Sequence, residues 1–314
     1  MPRESGSSVQ EISMNECGKV CVLFNPVSGR GRAQRILRSI EKDLSSQFVL
    51  QPLTGPGSGS AQARQAIEEG FSTIIAAGGD GTVHEVANGI MEAGRGDVVM
   101  GFWPMGSAND YAVNFGIKEP WKNLHGERVI RNVDVGVAET EHGTKRFFIN
   151  GMGLGFNGAV TVEARKIPWL RGMPLYGLGI LQAMRRQFVA PRMKISFDDQ
   201  LRESPTLALT INIGKREGGF PLTPSADACD GLFDYLHAGP LSRWELLRQL
   251  PNMATGNIPT DHPKVWLGRC RSAKIESESP LRVHLDGEFL CHPEDSVRNI
   301  EVRMLPGALR LQVR

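Results

Sequence analysis

Several features that mark common classes of protein are missing from this sequence. It contains no run of about 18 apolar residues, the length that a membrane-spanning helix requires. Its first 17 residues are polar and lack the apolar centre of a secretory signal. The sequence therefore predicts a cytoplasmic protein without a transmembrane helix.

Metal-ligand spacing and a strong charge of one sign are also absent. The five cysteines and seven histidines do not fall at the spacings of a zinc site, so we expect free thiols in a reducing compartment. The formal net charge is only +2, which argues against nucleic-acid binding by the chain as a whole. Aromatic residues make up 7% of the chain, whereas glycine occurs 36 times. So many glycines indicate turns where the backbone approaches a ligand closely.

The first part of the chain alternates between strand and helix patterns. Apolar runs predict strands at 19–24, 48–53, 73–77 and 98–103, with amphipathic helices between them. This alternation predicts an α/β, doubly wound domain with a parallel sheet over 18–135, after a flexible tail at 1–17. Beyond it, short β-like runs predict a β-sandwich domain over 136–314, and a return of the last strand to the first domain is left open.

The glycine turn at 78–82 (GGDGT) follows a predicted strand directly. Thr82 and Glu85 have the spacing of a capping box, which predicts that a helix begins there. Backbone N–H groups and the helix dipole at such a turn attract an anion, and glycine lets them approach a phosphate. Asp80 inside this turn either organises Mg²⁺ and the transferred phosphate or caps the helix. Both interpretations stay open, and we expect His84 on the helix surface.

Two more turns follow the first and fourth predicted strands. The turn at 25–32 is not a Walker A motif, but Arg30 could contact phosphate; the alternative is a solvated basic loop. The turn at 104–111 offers backbone amides, the Ser107 hydroxyl and Asp110; the alternative is a group of helix caps. Since ligands of parallel sheets bind beyond the carboxyl ends of the strands, we expect the three turns at one edge.

The second half contains weaker signals. The spacing G-x-G-x-x-G at 153–158 lies in mid-chain without the acid that a dinucleotide site needs, so we reject that role. Asp227 and Asp230 in the glycine-rich stretch 218–231 could bind a hard cation, with a β-turn as the alternative. The residues 286–288 (DGE) predict a hairpin turn. Seven basic residues and one acid between 163 and 194 suit either an anionic membrane surface or a solvated helix face.

Taken together, these motifs resemble the diacylglycerol kinase catalytic-domain family, which includes bacterial lipid kinases and sphingosine kinases. The resemblance rests on NPVSG (25–29), GGDGT (78–82), PMGSANDYA (104–112), NGMGLGFNGAV (150–160) and DGE (286–288), in that order. It implies an NAD kinase/phosphofructokinase-like first domain and a β-sandwich domain that binds the lipid. The implied activity is transfer of the γ-phosphoryl group of ATP, with Mg²⁺, to a lipid hydroxyl such as that of diacylglycerol.

The resemblance also assigns roles to residues. It implies catalytic roles for Asp80, Asp110 and Glu288, of which Glu288 is the preferred base and Asp80 the alternative. The predicted nucleotide-binding residues are Asn25, Ser28, Gly29, Arg30, Thr54, Gly78, Gly79, Gly81, Thr82, Glu85, Gly106, Ser107 and Asn109. The implied ligands of a structural Mg²⁺ are Asp227, Asp230 and Leu232.

The expected partner is a lipid substrate at a membrane surface, contacted peripherally through 163–194, and no nucleic acid. A homodimer is left open. Two other functions are weighed against a lipid kinase: a kinase of a soluble acceptor such as NAD, and a non-catalytic nucleotide-binding regulator.

Overall fold

The computed structural model describes residues 9–12, 18–44, 48–106, 108–124, 127–167, 170, 172–259 and 261–313. The chain divides into two compact units, one of Met1–Val135 with Pro306–Arg314 and the other of Gly136–Leu305. Among the described residues, no helix combines the length and apolar character that crossing a bilayer requires.

The first unit is an α/β layer structure. Its strands are β1 (Val9–Ile12), β2 (Val20–Phe24), β3 (Phe48–Pro52), β4 (Thr73–Gly78), β5 (Val99–Pro104) and the start of β6 (Arg128–Thr140). Its helices are α1 (Arg32–Ile40), α2 (Gly59–Glu68), α3 (Asp80–Ala93) and α4 (Asp110–Asn114). The order β3-β2-β4-β5 with parallel pairing confirms the predicted α/β sheet.

Burial explains why these segments form strands and helices. Every residue of β4 is buried, as expected for a central parallel strand covered on both faces. Ala33 and Leu37 on one face of α1 pack in a buried cluster with Val20 and Val22 of β2. This one-turn spacing of apolar residues is the amphipathic pattern seen in the sequence.

One expectation about the N-terminal tail was wrong. The tail predicted over 1–17 contains β1, which pairs antiparallel with β6 from Val9↔Arg131 to Ile12↔Arg128. A segment of only four residues (VQEI) is too short to show a strand pattern by itself, and its backbone hydrogen bonds to β6 form only in the folded chain.

The second unit is an antiparallel β-sandwich with helices, in agreement with the predicted fold class. Its strands are β7 (Lys145–Phe148), β8 (Gly151–Gly155), β9 (Arg192–Phe197), β10 (Gln200–Pro205), β11 (Ala208–Asn212), β12 (Phe233–Ala238), β13 (Val265–Cys270), β14 (Ser272–Ser277), β15 (Val283–Leu285), β16 (Glu288–Cys291) and β17 (Asn299–Gln312). Its helices are α5 (Phe156–Arg165), α6 (Gly172–Arg186) and α7 (Arg243–Thr255).

Two sheets face each other in this unit. One has the order β13-β12-β11-β8-β15-β16, and β10-β9-β14-β17 form the other set. Phe197 of β9 stacks on Tyr235 of β12 with ring centroids 3.8 Å apart, which joins the two inner faces. The helices α5, α6 and α7 supply residues to a core cluster with β11 and β12. The C-terminal end of β17 belongs to the first unit, where Arg310 pairs in parallel with Val99 of β5.

Candidate active site

Three glycine turns of the first unit meet at the carboxyl edge of the parallel sheet. They follow β2, β4 and β5, which are neighbours in the sheet. A Cβ atom on Gly29 would lie 2.5 Å from the carbonyl oxygen of Met105, and one on Gly106 would lie 2.4 Å from Cα of Gly79. Only glycine permits these approaches. The turns therefore present their backbone groups at a single place.

The start of α3 lies at this place. Its N-cap is Gly79 in extended conformation, so no side chain of the cap residue satisfies the first amide groups of a 14-residue helix. Asp80 is the first helical residue, and Gly81 and Thr82 complete the first turn. Amide groups and the helix dipole make this end suited to bind a phosphate.

The predicted capping box at Thr82 and Glu85 was wrong. The Thr82 side chain is buried and packs where a Cβ on Gly78 would be, 2.4 Å from Thr82 Oγ1. Glu85 instead accepts hydrogen bonds from the backbone N–H groups of Gly57 (2.9 Å) and Gly59 (2.7 Å). The N-cap of α3 is Gly79, three residues before the N-cap that the pattern indicates, so the side chains of Thr82 and Glu85 both lie inside the helix. Glu85 thus holds the loop before α2.

The expectation for His84 was also wrong, because it is buried at 4% exposure. Its backbone carbonyl accepts a hydrogen bond from the Asn88 side chain one turn later (2.9 Å).

Asp80 connects the turns after β4 and β5. Its carboxylate accepts hydrogen bonds from the backbone N–H groups of Asn109 (2.9 Å) and Tyr111 (3.4 Å). Part of Asp80 stays open to solvent, but protein surrounds its carboxyl group. Burial and the nearby charge of Asp110 raise the pKa of Asp80 to about 6. Two neighbouring acids such as Asp80 and Asp110 are suited to bind a cation or to exchange a proton.

The remaining predicted nucleotide-binding residues lie around these turns. The Asn25 side chain accepts a hydrogen bond from the backbone N–H of Val27 (3.1 Å), which shapes the first turn. A Cβ on Gly79 would lie 3.9 Å from Ser28 Oγ, and Arg30 is exposed with a left-handed backbone (φ 58°). The backbone N–H of Thr54 donates to Gln62 (3.1 Å), in the loop after β3. Ser107 lies outside the described residues.

Asn109 and Gly106 form a closed turn. The Asn109 side-chain oxygen accepts from the backbone N–H of Gly106 (3.0 Å), and its amide nitrogen donates to the Gly106 carbonyl (3.2 Å). Asn109 adopts the left-handed conformation (φ 53°) just before α4. Asn109 is the N-cap residue of α4, but its side chain bonds back to Gly106 and makes no capping hydrogen bond to the helix. The ligand interpretation of this turn stays a prediction.

In the second unit, the residues 286–288 form the predicted hairpin turn between β15 and β16. Asp286 has φ 52° and accepts from the backbone N–H groups of Ile149 (3.0 Å), Asn150 (2.8 Å) and Gly151 (2.9 Å). This carboxylate ties the turn to the beginning of β8. The position of Glu288 is set by that anchor.

Glu288 has a basic partner that the sequence pattern did not indicate. Arg165 at the end of α5 lies 2.8 Å from the Glu288 carboxylate and donates to the Gly287 carbonyl (2.7 Å). Its guanidinium also lies 4.9 Å from the centre of the Phe289 ring. These three contacts hold the arginine over the turn. The sequence indicates only that Arg165 belongs to a basic stretch, because 123 residues separate it from Glu288.

A buried polar cluster next to this turn was also missed. His284 of β15 is 2% exposed, and its Nε2 lies 3.2 Å from Glu217 Oε1. Glu217 accepts from the Thr210 hydroxyl (3.2 Å), and Asn157 donates to that hydroxyl. A Cβ on Gly153 would lie 2.4 Å from His284 Nε2. The glycine spacing rejected as a dinucleotide motif makes room for this cluster.

Gly153→Ala is expected to lower the free energy of unfolding by about 1–3 kcal/mol, because the new methyl group overlaps His284 and Glu217. Urea denaturation measures the change. Gly177→Ala in α6 is the matched control, since a Cβ there meets nothing within 4 Å, and we expect a change of at most about 1 kcal/mol. Equal effects of the two substitutions would contradict the steric argument.

The three predicted metal ligands lie in one loop before β12. Asp230 accepts from the backbone N–H of Leu232 (3.0 Å) and forms an ion pair with Arg269, which also donates to Asp234 (3.2 Å). Asp227 accepts from the backbone N–H of Cys229 (3.1 Å). In the described part of the chain, no three His, Cys, Asp or Glu residues are grouped as for a metal ion. The Arg269 guanidinium supplies the positive charge next to Asp230 in this structure. The Mg²⁺ ligand set of Asp227, Asp230 and Leu232 stays a prediction.

The fold and the site define the class: a two-domain protein in which an α/β unit with converging glycine turns is followed by an antiparallel β-sandwich. Residues 19–138 match the family model of the diacylglycerol kinase catalytic domain. Residues 151–313 match that of the YegS C-terminal NAD kinase beta sandwich-like domain. The chain belongs to the diacylglycerol kinase and YegS-like family of lipid kinases.

Individual relatives extend over most of the chain. A diacylglycerol kinase of Mycobacterium tuberculosis is 28% identical over 97% of this chain and 98% of its own length. A protein of Chromohalobacter salexigens named "Probable lipid kinase YegS-like" is 33% identical over 81% of this chain and 80% of its own. The crystal structure of a diacylglycerol kinase from Bacillus anthracis str. Sterne has the same fold, with a TM-score of 0.67 at 18% identity, covering 94% of this chain and 97% of that one.

Proposed function

We propose that this protein is an ATP-dependent lipid kinase, which transfers the γ-phosphoryl group to the hydroxyl of a diacylglycerol-like lipid. The observation that supports this most is the meeting of three glycine turns around Asp80 in a chain of this family. Phosphoryl transfer depends mainly on positioning and on stabilising negative charge. Converging amide groups at a helix N-terminus supply both.

In this proposal different residues bind phosphate, shape the turns and bind Mg²⁺. Amide groups of Gly79 and Gly81 bind phosphate oxygens, and Asn25 and Asn109 keep the turns in shape, Asn109 by accepting the hydrogen bond from the Gly106 amide. Asp80 and Asp110 would hold Mg²⁺, which neutralises phosphate charge when it is bound with ATP. Their chemistry fits that role, since hard oxygen ligands suit this ion and a cation relieves the repulsion between two neighbouring acids.

Glu288 is the proposed general base. It accepts the proton of the lipid hydroxyl as the hydroxyl oxygen forms its bond to the γ-phosphorus and the bond from that phosphorus to the bridging oxygen breaks, which releases ADP. Arg165 and the Asp286 anchor hold this carboxylate in place. We further propose that the protein works on the cytoplasmic side of a membrane, where it contacts the bilayer peripherally.

The deciding experiment supplies radiolabelled ATP and Mg²⁺ with separate acceptors: dioctanoylglycerol, phosphatidylglycerol, sphingosine and NAD. We expect the label in a lipid product, and a reaction without the protein serves as the background control. Label in NAD phosphate alone would support a kinase of a soluble acceptor. ATP binding without transfer to any acceptor would support a regulator and contradict the proposal.

A further inference from the structure

Two helices of the second unit expose large apolar side chains on their outer surfaces. Leu181 of α6 is 48% exposed, Val189 just after α6 is 69% exposed, and Trp244 at the start of α7 is 81% exposed. Isolated exposed apolar residues are common in proteins. An exposed tryptophan is different, because its ring has the largest apolar area of any side chain and usually finds cover.

An arginine lies one helical turn after an exposed apolar residue in each helix. Arg185 follows Leu181 by four residues, and Arg248 follows Trp244 by four residues. Residues four apart share a face of a helix, so each helix presents an apolar group beside a cation. Both arginines are exposed.

A third arginine joins the two helices at this place. Arg243 donates from Nε to the Met184 carbonyl near the end of α6 (3.0 Å), and its guanidinium lies 5.1 Å from the centre of the Phe188 ring. The end of α6 and the start of α7 therefore form one continuous surface.

Acids near this surface are already neutralised. Glu163 is fully buried and lies 2.8 Å from Lys166 and 3.0 Å from Arg186. Glu245 lies 2.8 Å from Lys264 and accepts from the backbone N–H of Ser242 (2.6 Å). The exposed side chains here include three apolar residues and three arginines, and such a surface complements negative charge.

We propose that this surface, which we call the α6–α7 surface (Leu181, Arg185, Val189, Arg243, Trp244 and Arg248), docks the protein on an anionic phospholipid bilayer. Tryptophan favours the boundary between headgroups and acyl chains, and arginine is attracted to anionic headgroups. The inference deepens the proposed function, on which it rests, by naming the surface that brings the enzyme to its substrate.

This surface differs from the basic stretch 163–194 seen in the sequence. Within that stretch, Arg165, Arg192 and Lys194 pair with Glu288, Glu203 and Glu276. They are therefore less available to lipid headgroups than Arg185. The α7 residues lie at least 49 positions beyond residue 194, where that stretch ends, and reach this surface only through the fold.

The test uses vesicles of phosphatidylcholine with and without about one-third phosphatidylglycerol. We expect the full-length protein to co-sediment with the anionic vesicles only, with a blue shift of tryptophan fluorescence that Trp244→Phe removes. The double variant Arg185→Gln/Arg248→Gln is expected to bind about 25-fold more weakly, since each arginine near such a surface contributes about fivefold. The matched control is Arg35→Gln/Arg38→Gln on exposed positions of α1, which should bind like the wild type.

Two results would overturn the proposal. One is equal binding by the double variant and the wild type. The other is a dimer in sedimentation velocity that Trp244→Ala dissociates, because a second copy of the chain would then cover this surface. Vesicle binding requires no turnover. The docking proposal can therefore be tested even if the protein shows no kinase activity. Conversely, kinase activity on dioctanoylglycerol in detergent micelles should survive in the docking variants.

Discussion

Glu288→Gln is expected to lower turnover by about 10²–10⁴-fold, because the amide keeps the shape of the side chain but cannot accept the hydroxyl proton. Stability should hardly change. Glu288 and Arg165 have side chains that are 40% and 48% exposed, and an exposed ion pair contributes at most about 1 kcal/mol to the free energy of unfolding. Steady-state kinetics with the best lipid acceptor, together with urea denaturation, measure both quantities.

The chain offers a closely matched control for this substitution. Glu276 in the same unit is also 40% exposed and pairs with Lys194, which is 49% exposed. Glu276→Gln removes the same charge from the same kind of ion pair, and we expect turnover within about twofold of the wild type. If Glu288→Gln also retained near-normal turnover, Glu288 would lose its role as the base.

Asp80→Asn is expected to have opposite effects on activity and stability. Turnover should fall by about 10²–10³-fold, since the variant loses a charge that organises the phosphates. The free energy of unfolding at pH 7 should rise by about 2 kcal/mol, because a buried carboxylate beside Asp110 is costly in its ionised form. The asparagine oxygen can still accept the hydrogen bond from the backbone N–H of Asn109.

The dependence of stability on pH provides a second measure of the same group. The pKa of Asp80 is about 6 in the folded protein against an ordinary value of 3.8, so the folded state holds the proton more tightly. The resulting stability is fully present below about pH 4 and is lost as the pH rises through 6. Asp80→Asn should flatten this part of the curve in urea denaturation from pH 4 to 7.5.

Asp97→Asn is the control for Asp80, because Asp97 is 62% exposed and pairs with Arg95 in the same unit. It should leave turnover and the slope above pH 5 unchanged. A decrease in the stability of Asp80→Asn at pH 7 would show that the hydrogen bonds to Asn109 and Tyr111 outweigh the repulsion from Asp110.

Much of the fold could be predicted from the chain alone. The strands at 19–24, 48–53, 73–77 and 98–103 match β2 to β5 within one or two residues. Buried parallel strands need continuous apolar runs. Such runs can be recognised in the sequence without knowing which strands pair with them. The start of α3 was harder, because Thr82 and Glu85 have capping spacing whether or not the helix begins at Thr82. The packing of the Thr82 side chain against Gly78 shows that Thr82 lies inside the helix and does not cap it.

The candidate site was predictable to the extent that its residues stand next to each other in sequence. The glycine turns could be located, since each follows a strand and all such ends share one edge of the sheet. Glu217 carried no usable signal, because it stands in a loop and meets His284 only when β8, β11 and β15 are side by side. Trp244 gave no signal either, since exposure is a property of the folded surface.

By itself, the sequence determined the order of strands and helices, the glycine turns and the family, because these depend on local hydrophobic pattern and on backbone freedom at single positions. Tertiary structure alone decided which group each carboxylate meets. Glu85 holds the N–H groups of a loop 26 and 28 residues away, and Glu288 meets an arginine 123 residues away. Strand register and helix packing determine these pairings, and neither can be predicted from the spacing of residues along the chain.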